Sequence, residues 1–191
     1  FAIDNGLGGF EFLSCIPGTV GGGIKMNAGC FGREFKDILI SLQAVNKSGK
    51  VLTIPVKDIN FNYRDSGLSD ELIFLSASFK GYKKEKSAIK AEVQRLVKKK
   101  ELAQPTRIKT SGSTFKNPIN QTDKKVWQLI SESVPLEKSF GDASISDKHC
   151  NFFVNKGNAK FKDMKNLIDF VTDCVFKKTG IKLETEIKIV E

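Results

Sequence analysis

The sequence predicts an α+β fold. Short runs of alternating apolar residues read as strands, two longer runs have helical spacing, and no βαβαβ rhythm repeats along the chain. A third observation, glycine crowded at the start, marks a region suited to close backbone approach. The 191 residues suffice for one domain or two small ones with a real core. With 40% hydrophobic and 28% charged residues the composition is that of a globular protein.

Nine of the 16 glycines lie in the first 32 residues. A strand is expected over Ile38–Val45, then a turn at Asn46-Lys47-Ser48-Gly49 and a second strand over Lys50–Ile54, together a hairpin. Leu72–Lys80 alternates, with Ile73, Leu75, Ala77 and Phe79 on one face. A helix of about Ser87–Ala103 places Ile89, Val93, Leu96 and Val97 on one side. Gln104-Pro105 ends it and marks a domain boundary, giving residues 1–103 and 104–191. Thr106–Pro118 reads as a polar loop. A short helix of about Asp123–Ser133 follows, with Thr122 as N-cap. Cys150–Asn155 reads as a strand. The longest amphipathic run, Phe161–Thr179, is a helix closed by Gly180. A last strand is expected over Ile181–Val190, with Leu183, Thr185, Ile187 and Ile189 on one face and Lys182, Glu184, Glu186 and Lys188 on the other.

The net charge is 31 − 22 = +9, almost all from lysine. The lysines are dispersed, at Lys83, Lys84, Lys86, Lys98 to Lys100, Lys124, Lys125, Lys177 and Lys178, without interleaved aromatics. They read as a solvated surface, and a small nucleotide ligand is a better phosphate partner than a nucleic acid. The cysteines, Cys15, Cys30, Cys150 and Cys174, form no C-x-x-C and lack a second histidine beside His149, so buried thiols are expected and no metal site. No run approaches about 18 apolar residues, so no membrane span is expected. No export leader is visible. The chain opens on Phe1, and a segment upstream of it is expected.

Five segments could carry chemistry. Ile16-Pro17-Gly18-Thr19-Val20-Gly21-Gly22-Gly23 is neither a P-loop nor a G-x-G-x-x-G turn; it is either a diphosphate cradle of consecutive N–H groups or a tight structural turn. Phe61-Asn62-Tyr63-Arg64-Asp65-Ser66 offers an arginine that could grip a carboxylate or pair with Asp65. In Gly112-Ser113-Thr114-Phe115-Lys116-Asn117-Pro118, Ser113 is a candidate acid or nucleophile, or part of a turn. A hydrolase triad is disfavoured because His149 is the sole base of its type. His149, beside a strand, is either structural or a ligand contact. Glu186 is either an exposed strand carboxylate or a site acid.

Taken in order, the segments are more specific than any one alone. Gly9-Phe10-Glu11-Phe12-Leu13-Ser14-Cys15-Ile16-Pro17-Gly18-Thr19-Val20-Gly21-Gly22, Met26-Asn27-Ala28-Gly29, Tyr63-Arg64-Asp65-Ser66, the Gly112–Pro118 run, His149-Cys150-Asn151-Phe152 and Leu183-Glu184-Thr185-Glu186-Ile187 closely resemble the motifs of the UDP-N-acetylenolpyruvoylglucosamine reductase (MurB) family. The resemblance covers about Gly9 to the end of the chain.

It implies a cytoplasmic, monomeric flavoenzyme of peptidoglycan synthesis, serving cell-wall biogenesis, cell shape and cell division. FAD would sit in a vanillyl-alcohol-oxidase/PCMH-type fold and NADPH would be the reductant. The substrate would be a nucleotide sugar, with no membrane or nucleic-acid partner. Residues 1–103 would be the second lobe of the FAD-binding domain, and 104–191 the substrate domain. Ile16, Pro17, Gly18, Thr19, Val20, Gly21, Gly22 and Asn27 would contact FAD. Arg64, Ser113 and Glu186 would be catalytic, and Tyr63, Lys116, Asn117 and His149 would contact substrate. The family also carries an earlier lobe with a Gly-Ser-Asn-type motif, absent from this sequence. One branch inserts a tyrosine-bearing loop between the arginine and the serine. Here the spacing is 113 − 64 = 49 residues and only Tyr82 lies between, which is similar to the shorter branch. The alternatives are a UDP-sugar-binding fragment without activity, another FAD oxidoreductase of the same fold, and a basic nucleic-acid-binding domain.

Overall fold

Runs of a few apolar residues between glycine and asparagine turns leave room only for short strands, and both parts of the molecule are built from them. The computed structural model describes residues 1–190 and divides into two units, Phe1–Lys100 and the remainder from Glu101. In the first unit, β1 (Leu7–Gly8) lies apart from the main sheet, and β2 (Gly29–Cys30) pairs with β3 (Arg33–Glu34). Between β1 and β2 is the short helix α1 (Val20–Lys25). The main sheet has the order β5 (Val51–Pro55), β4 (Leu39–Val45), β6 (Ile73–Phe79), all antiparallel. Asn46 makes the β4–β5 turn: its Oδ1 accepts the N–H groups of Ser48 and Lys50 at 3.1 and 3.0 Å. β7 (Tyr82–Lys83) pairs back onto β1, and α2 (Lys86–Ala103) follows. Ile89 and Leu96 are the buried residues of that helix.

The face expected for β6 is split. Gln43 pairs with Ser76, but Ala44 pairs with Phe74, so Leu75 is an extra residue in the ladder. A bulge of one residue reverses which side chains point inward. Phe74, Ala77 and Phe79 therefore pack on the core of Ile24, Phe35, Leu39, Leu42 and Ile59, while Ile73 and Leu75 remain exposed.

Glu11 is buried near the β1–β7 ladder. Its Oε2 accepts the Gly9 N–H at 2.8 Å and its Oε1 accepts Lys84 Nζ at 2.8 Å. Burial alone would push the carboxyl up, but Lys84 and the backbone N–H groups outweigh it and hold it below the usual glutamate range. The contribution is thus full above the unfolded-state pKa and is lost as pH falls through the depressed folded-state one. Glu11→Gln should cost about 1.5–3 kcal/mol at neutral pH, the scale of hydrogen bonds to a charged group. Urea unfolding should show the gap to wild type closing as pH drops into the acid range; a gap that widens would contradict the assignment.

The second unit is a four-stranded antiparallel sheet with helices against it. Its order is β8 (Thr110–Ser113), β11 (Phe152–Asn155), β10 (Ala143–Ile145), β9 (Ser139–Phe140). Helices α3 (Val126–Ser133) and α4 (Phe161–Thr179) close over it, and Leu167, Ile168, Val171 and Val175 form the buried stripe of α4. Gly180 ends α4 at φ +74°, the left-handed cap expected of it. Phe115 and Phe153 meet edge to face in the core at 5.8 Å.

Three expected boundaries move. The short helix starts at Val126, with Lys125 at the N-cap position, and not at Asp123 after Thr122. Thr122 instead closes a turn by accepting the Lys124 N–H, while Asn117 Oδ1 serves the first N–H of the helix, that of Val126, at 3.0 Å. The strand expected from Cys150 starts at Phe152, because the Phe152 N–H turns back to the His149 carbonyl. The last strand shrinks to a single bridge, Thr185 with Phe115. Its partner run ends at Pro118, which has no N–H to continue a ladder. Leu183 and Ile187 still pack on the core of this unit, as their shared face predicts.

Candidate active site

The expected site residues fall into two groups, one in each unit. In the first unit Pro17, Gly18, Thr19 and Val20 are exposed, and the segment turns at Gly18 into α1. Thr19 is the N-cap, its Oγ1 accepting the Gly22 N–H at 3.1 Å. The glycines differ in what requires them. A Cβ on Gly23 would meet the Phe35 ring at 2.3 Å, so packing demands glycine there. A Cβ on Gly21 would meet only Phe74 side-chain atoms, at 3.9–4.0 Å, an ordinary contact. Glycine in a helix costs about 1 kcal/mol against alanine, and nothing within this unit repays that at Gly21.

Asn27 follows α1 with φ +41° and is fully buried. Its Nδ2 donates to Glu34 Oε2 at 3.0 Å and to the Asn62 carbonyl at 3.1 Å, and its Oδ1 accepts the Lys36 N–H at 3.1 Å. The side chain named as a cofactor contact is therefore engaged within the protein, where it ties α1 to the Asn62–Asp65 turn. That turn is closed by backbone bonds in both directions between Asn62 and Asp65. Lys25 tightens the same connection: its carbonyl accepts the Ser66 N–H, and its Nζ donates to the Leu68 carbonyl and pairs with Asp70. Arg64 is half-buried, in the left-handed region at φ +57°, with its guanidinium carbon 5.0 Å from the Tyr63 ring centroid. A non-glycine residue held there marks stored strain of the kind that clusters at functional positions. The Gly-rich segment, Asn27, Tyr63 and Arg64 thus form one connected group.

In the second unit Ser113 ends β8, opposite Phe152. The chain then runs through buried Thr114 and Phe115 to Lys116 and Asn117. Residues 184–186 lie along it. The Glu186 N–H donates to the Thr114 carbonyl at 2.8 Å, and the Lys116 N–H donates to the Glu184 carbonyl at 2.9 Å. Glu186, 186 − 113 = 73 residues from Ser113 in sequence, is thereby bonded to its immediate neighbour. Lys116 Nζ pairs with Glu184 Oε1 at 2.5 Å. Asn117 Oδ1 caps α3 as described. His149 accepts the Asn151 N–H on Nδ1 at 3.2 Å and meets the Phe152 ring edge to face at 4.9 Å. Burial pulls its pKa below the ordinary histidine value, so the ring is neutral at pH 7.

The two groups differ in their chemistry. The first has exposed backbone at a glycine-rich turn and an arginine. The second has a hydroxyl, a carboxylate, an ammonium and an amide on two chain segments laced together. Sequence reasoning did not single out Asn151, although it stood in the His149–Phe152 motif; it is buried and hydrogen-bonded through its side chain to Phe115. A polar residue between a turn and an apolar strand was the available signal. Among the described residues no group of three His, Cys, Asp or Glu could hold a metal ion, and no helix is long and apolar enough to cross a membrane.

Residues 104–190 match the family model described as UDP-N-acetylenolpyruvoylglucosamine reductase, C-terminal domain. Residues 1–55 match the model of an FAD binding domain. The chain is 67% identical over 191 residues to the UDP-N-acetylenolpyruvoylglucosamine reductase of Pelagibacter ubique, covering 100% of this chain and 63% of that protein. It is 44% identical to the reductase of Orientia tsutsugamushi strain Ikeda, covering 100% of this chain and 62% of the relative. Among solved structures, the UDP-N-acetylenolpyruvylglucosamine reductase of Thermus caldophilus matches with a TM-score of 0.83 at 33% identity, over 98% of this chain and 66% of the other. The chain therefore spans slightly less than two thirds of the length of these relatives.

Proposed function

The chain belongs to the UDP-N-acetylenolpyruvoylglucosamine reductase family, and we propose that it supplies part of the flavin site and the substrate-protonating residues of a UDP-N-acetylmuramate dehydrogenase. The observation that carries the reading is the lacing of the Ser113–Asn117 segment to residues 184–186, which gathers a hydroxyl, a carboxylate and a lysine around one short stretch of chain.

When bound, FAD supplies hydride transfer from NADPH to the vinyl carbon of the enolpyruvyl ether. The residues fit such a cofactor: the Ile16–Gly22 segment presents exposed backbone and a glycine, Gly21, that its own surroundings do not require. Hydride addition at the vinyl carbon leaves negative charge on the adjacent carbon and the carboxylate oxygens. Arg64 is the fixed cation for that charge, strongest where water is excluded. Ser113 then donates a proton to the carbon alpha to the carboxylate. A weakly acidic hydroxyl suffices because that carbon is strongly basic, provided it lies within about 3 Å. Glu186 orders the enolate or a water beside it and keeps the serine poised. Tyr63, Lys116, Asn117 and His149 are the remaining substrate contacts; neutral His149 acts there as a hydrogen-bonding group and not as a cation.

Residues 1–103 are in this reading part of the FAD-binding domain and 104–191 the substrate domain. NADPH as reductant, a monomeric state, a cytoplasmic location, the absence of a nucleic-acid partner and a role in peptidoglycan synthesis belong to the same proposal. The experiment is anaerobic. The full-length, flavin-loaded protein is reduced with NADPH and mixed with UDP-N-acetylglucosamine enolpyruvate. Reoxidation of the flavin with formation of UDP-N-acetylmuramate supports the reading; a flavin that stays reduced sinks it.

Gly21 tests the cofactor assignment by itself. Gly21→Ala should leave the protein as stable or up to about 1 kcal/mol more stable. It should weaken FAD binding, because the new methyl group occupies space where the cofactor approaches. Fluorescence titration of FAD checks this, and unchanged affinity would remove Gly21 from the flavin contacts.

A further inference from the structure

We propose that Asn151 is a positioning residue for the proton-donating loop. Its side-chain amide stands in for a missing strand and sets where Ser113 and Glu186 point. The proposal rests on the reductase reading and adds to it a residue that reading does not use.

The geometry begins where the sheet runs out. β8 and β11 pair at Thr110 with Val154 and at Ser113 with Phe152. Past Ser113 a further pairing would need a backbone opposite Phe115. The chain before Phe152 cannot provide it, because the Phe152 N–H has turned back to the His149 carbonyl. The Asn151 side chain fills the gap. Its Oδ1 accepts the Phe115 N–H at 3.0 Å, and its Nδ2 donates to the Phe115 carbonyl at 2.9 Å. Its main-chain carbonyl accepts the Thr114 N–H at 2.8 Å. A primary amide has the donor and acceptor of a peptide group on one rigid plane, so it can hold both groups of Phe115 as an antiparallel neighbour would.

Asn151 is buried, as are Thr114 and Phe115. On the opposite side the same stretch is bonded to residues 184–186: the Glu186 N–H to the Thr114 carbonyl and the Lys116 N–H to the Glu184 carbonyl. The segment from Thr114 to Lys116 is therefore gripped from two sides, and Ser113 and Glu186 flank the grip. The N–H of Asn151 is itself fixed on His149 Nδ1 at 3.2 Å, which orients the residue that does the gripping. Releasing the Phe115 peptide frees the loop that carries Ser113, and a displacement of about 1 Å of an acid in a reacting geometry can cost on the order of 10²-fold in rate.

Asn151→Asp keeps the shape and the acceptor but replaces the donor to the Phe115 carbonyl with an oxygen. Asn151→Ser keeps a small polar side chain that cannot span the peptide. In the full-length, flavin-loaded protein, with rates normalised to bound flavin, reduction by NADPH should stay within about twofold of wild type for both. Reoxidation by UDP-N-acetylglucosamine enolpyruvate at saturation should fall about 10²-fold, with KM little changed. A merely structural asparagine would instead slow both half-reactions together through the folded fraction. Equal slowing of the two, near-normal reoxidation in Asn151→Asp, or failure of both variants to load flavin would each overturn the proposal. A wild-type protein that is not reoxidised by the enolpyruvyl sugar is a separate result: it removes the reductase reading and the proposal with it.

Discussion

Ser113→Ala should leave the flavin reducible and strand it there. In the full-length, flavin-loaded protein, reduction by NADPH should stay near the wild-type rate. Reoxidation by the enolpyruvyl substrate should slow by about 10²–10⁴-fold, the usual worth of a positioned general acid. The two half-reactions separate because NADPH oxidation needs no proton on the sugar, whereas the enolate left by hydride addition reverts unless it is protonated. The mutation removes one oxygen at the end of β8. It leaves untouched the backbone bonds of Thr114 to Glu186 and Asn151, so the fold should not change. Stopped-flow absorbance of the flavin reads both steps. Equal slowing of the two would remove Ser113 as the proton donor.

Arg64→Lys should be nearly as damaging, although it conserves charge. Arg64 sits in the left-handed region over the Tyr63 ring, in a turn tied to α1 through Ser66 and Lys25. A planar guanidinium can meet a carboxylate with two parallel hydrogen bonds while stacked on a ring; an ammonium on a flexible stem cannot. In the proposed reaction the charge it would face exists mainly after hydride transfer. The loss should therefore appear in kcat, by about 10²–10³-fold as for removal of an oxyanion donor, with a much smaller rise in KM. Glu186→Gln should follow the same pattern. Steady-state kinetics with normal kcat and a raised KM would make Arg64 a ground-state binder and not a catalytic residue.

Much of this arrangement was legible in the residues, and the parts that were not have physical reasons. The amphipathic run Phe161–Thr179 and the hairpin around Asn46 are local, set by period and turn chemistry, and both form as expected. The face of β6 was misread because a bulge at Leu75 is set by its partner β4, which no single strand reveals. The last strand was overextended for a similar reason: alternation in 181–190 is real, but the partner run stops at Pro118. Among the site residues, the motifs located Ser113 and Glu186 separately, while their lacing through Thr114 depends on chain segments 73 residues apart. Asn27 is expected as a cofactor contact from the family resemblance alone. Its three hydrogen bonds to Glu34, Asn62 and Lys36 are tertiary and leave no trace in local sequence. Asn151 went unselected because its partner is a backbone peptide, and backbone groups have no sequence signature.

The central claim is that this chain protonates the carbon alpha to the carboxylate after hydride has arrived at its neighbour. A single anaerobic turnover in deuterium oxide tests it most directly. The full-length, NADPH-reduced protein is mixed with UDP-N-acetylglucosamine enolpyruvate, and the product is examined by proton NMR while flavin absorbance is followed. The account predicts UDP-N-acetylmuramate carrying deuterium at the lactyl alpha carbon, formed at the rate at which the flavin reoxidises, with both slowed together in Ser113→Ala. Flavin reoxidation that leaves the enolpyruvyl group intact, or a product whose alpha carbon holds no solvent deuterium, would contradict it.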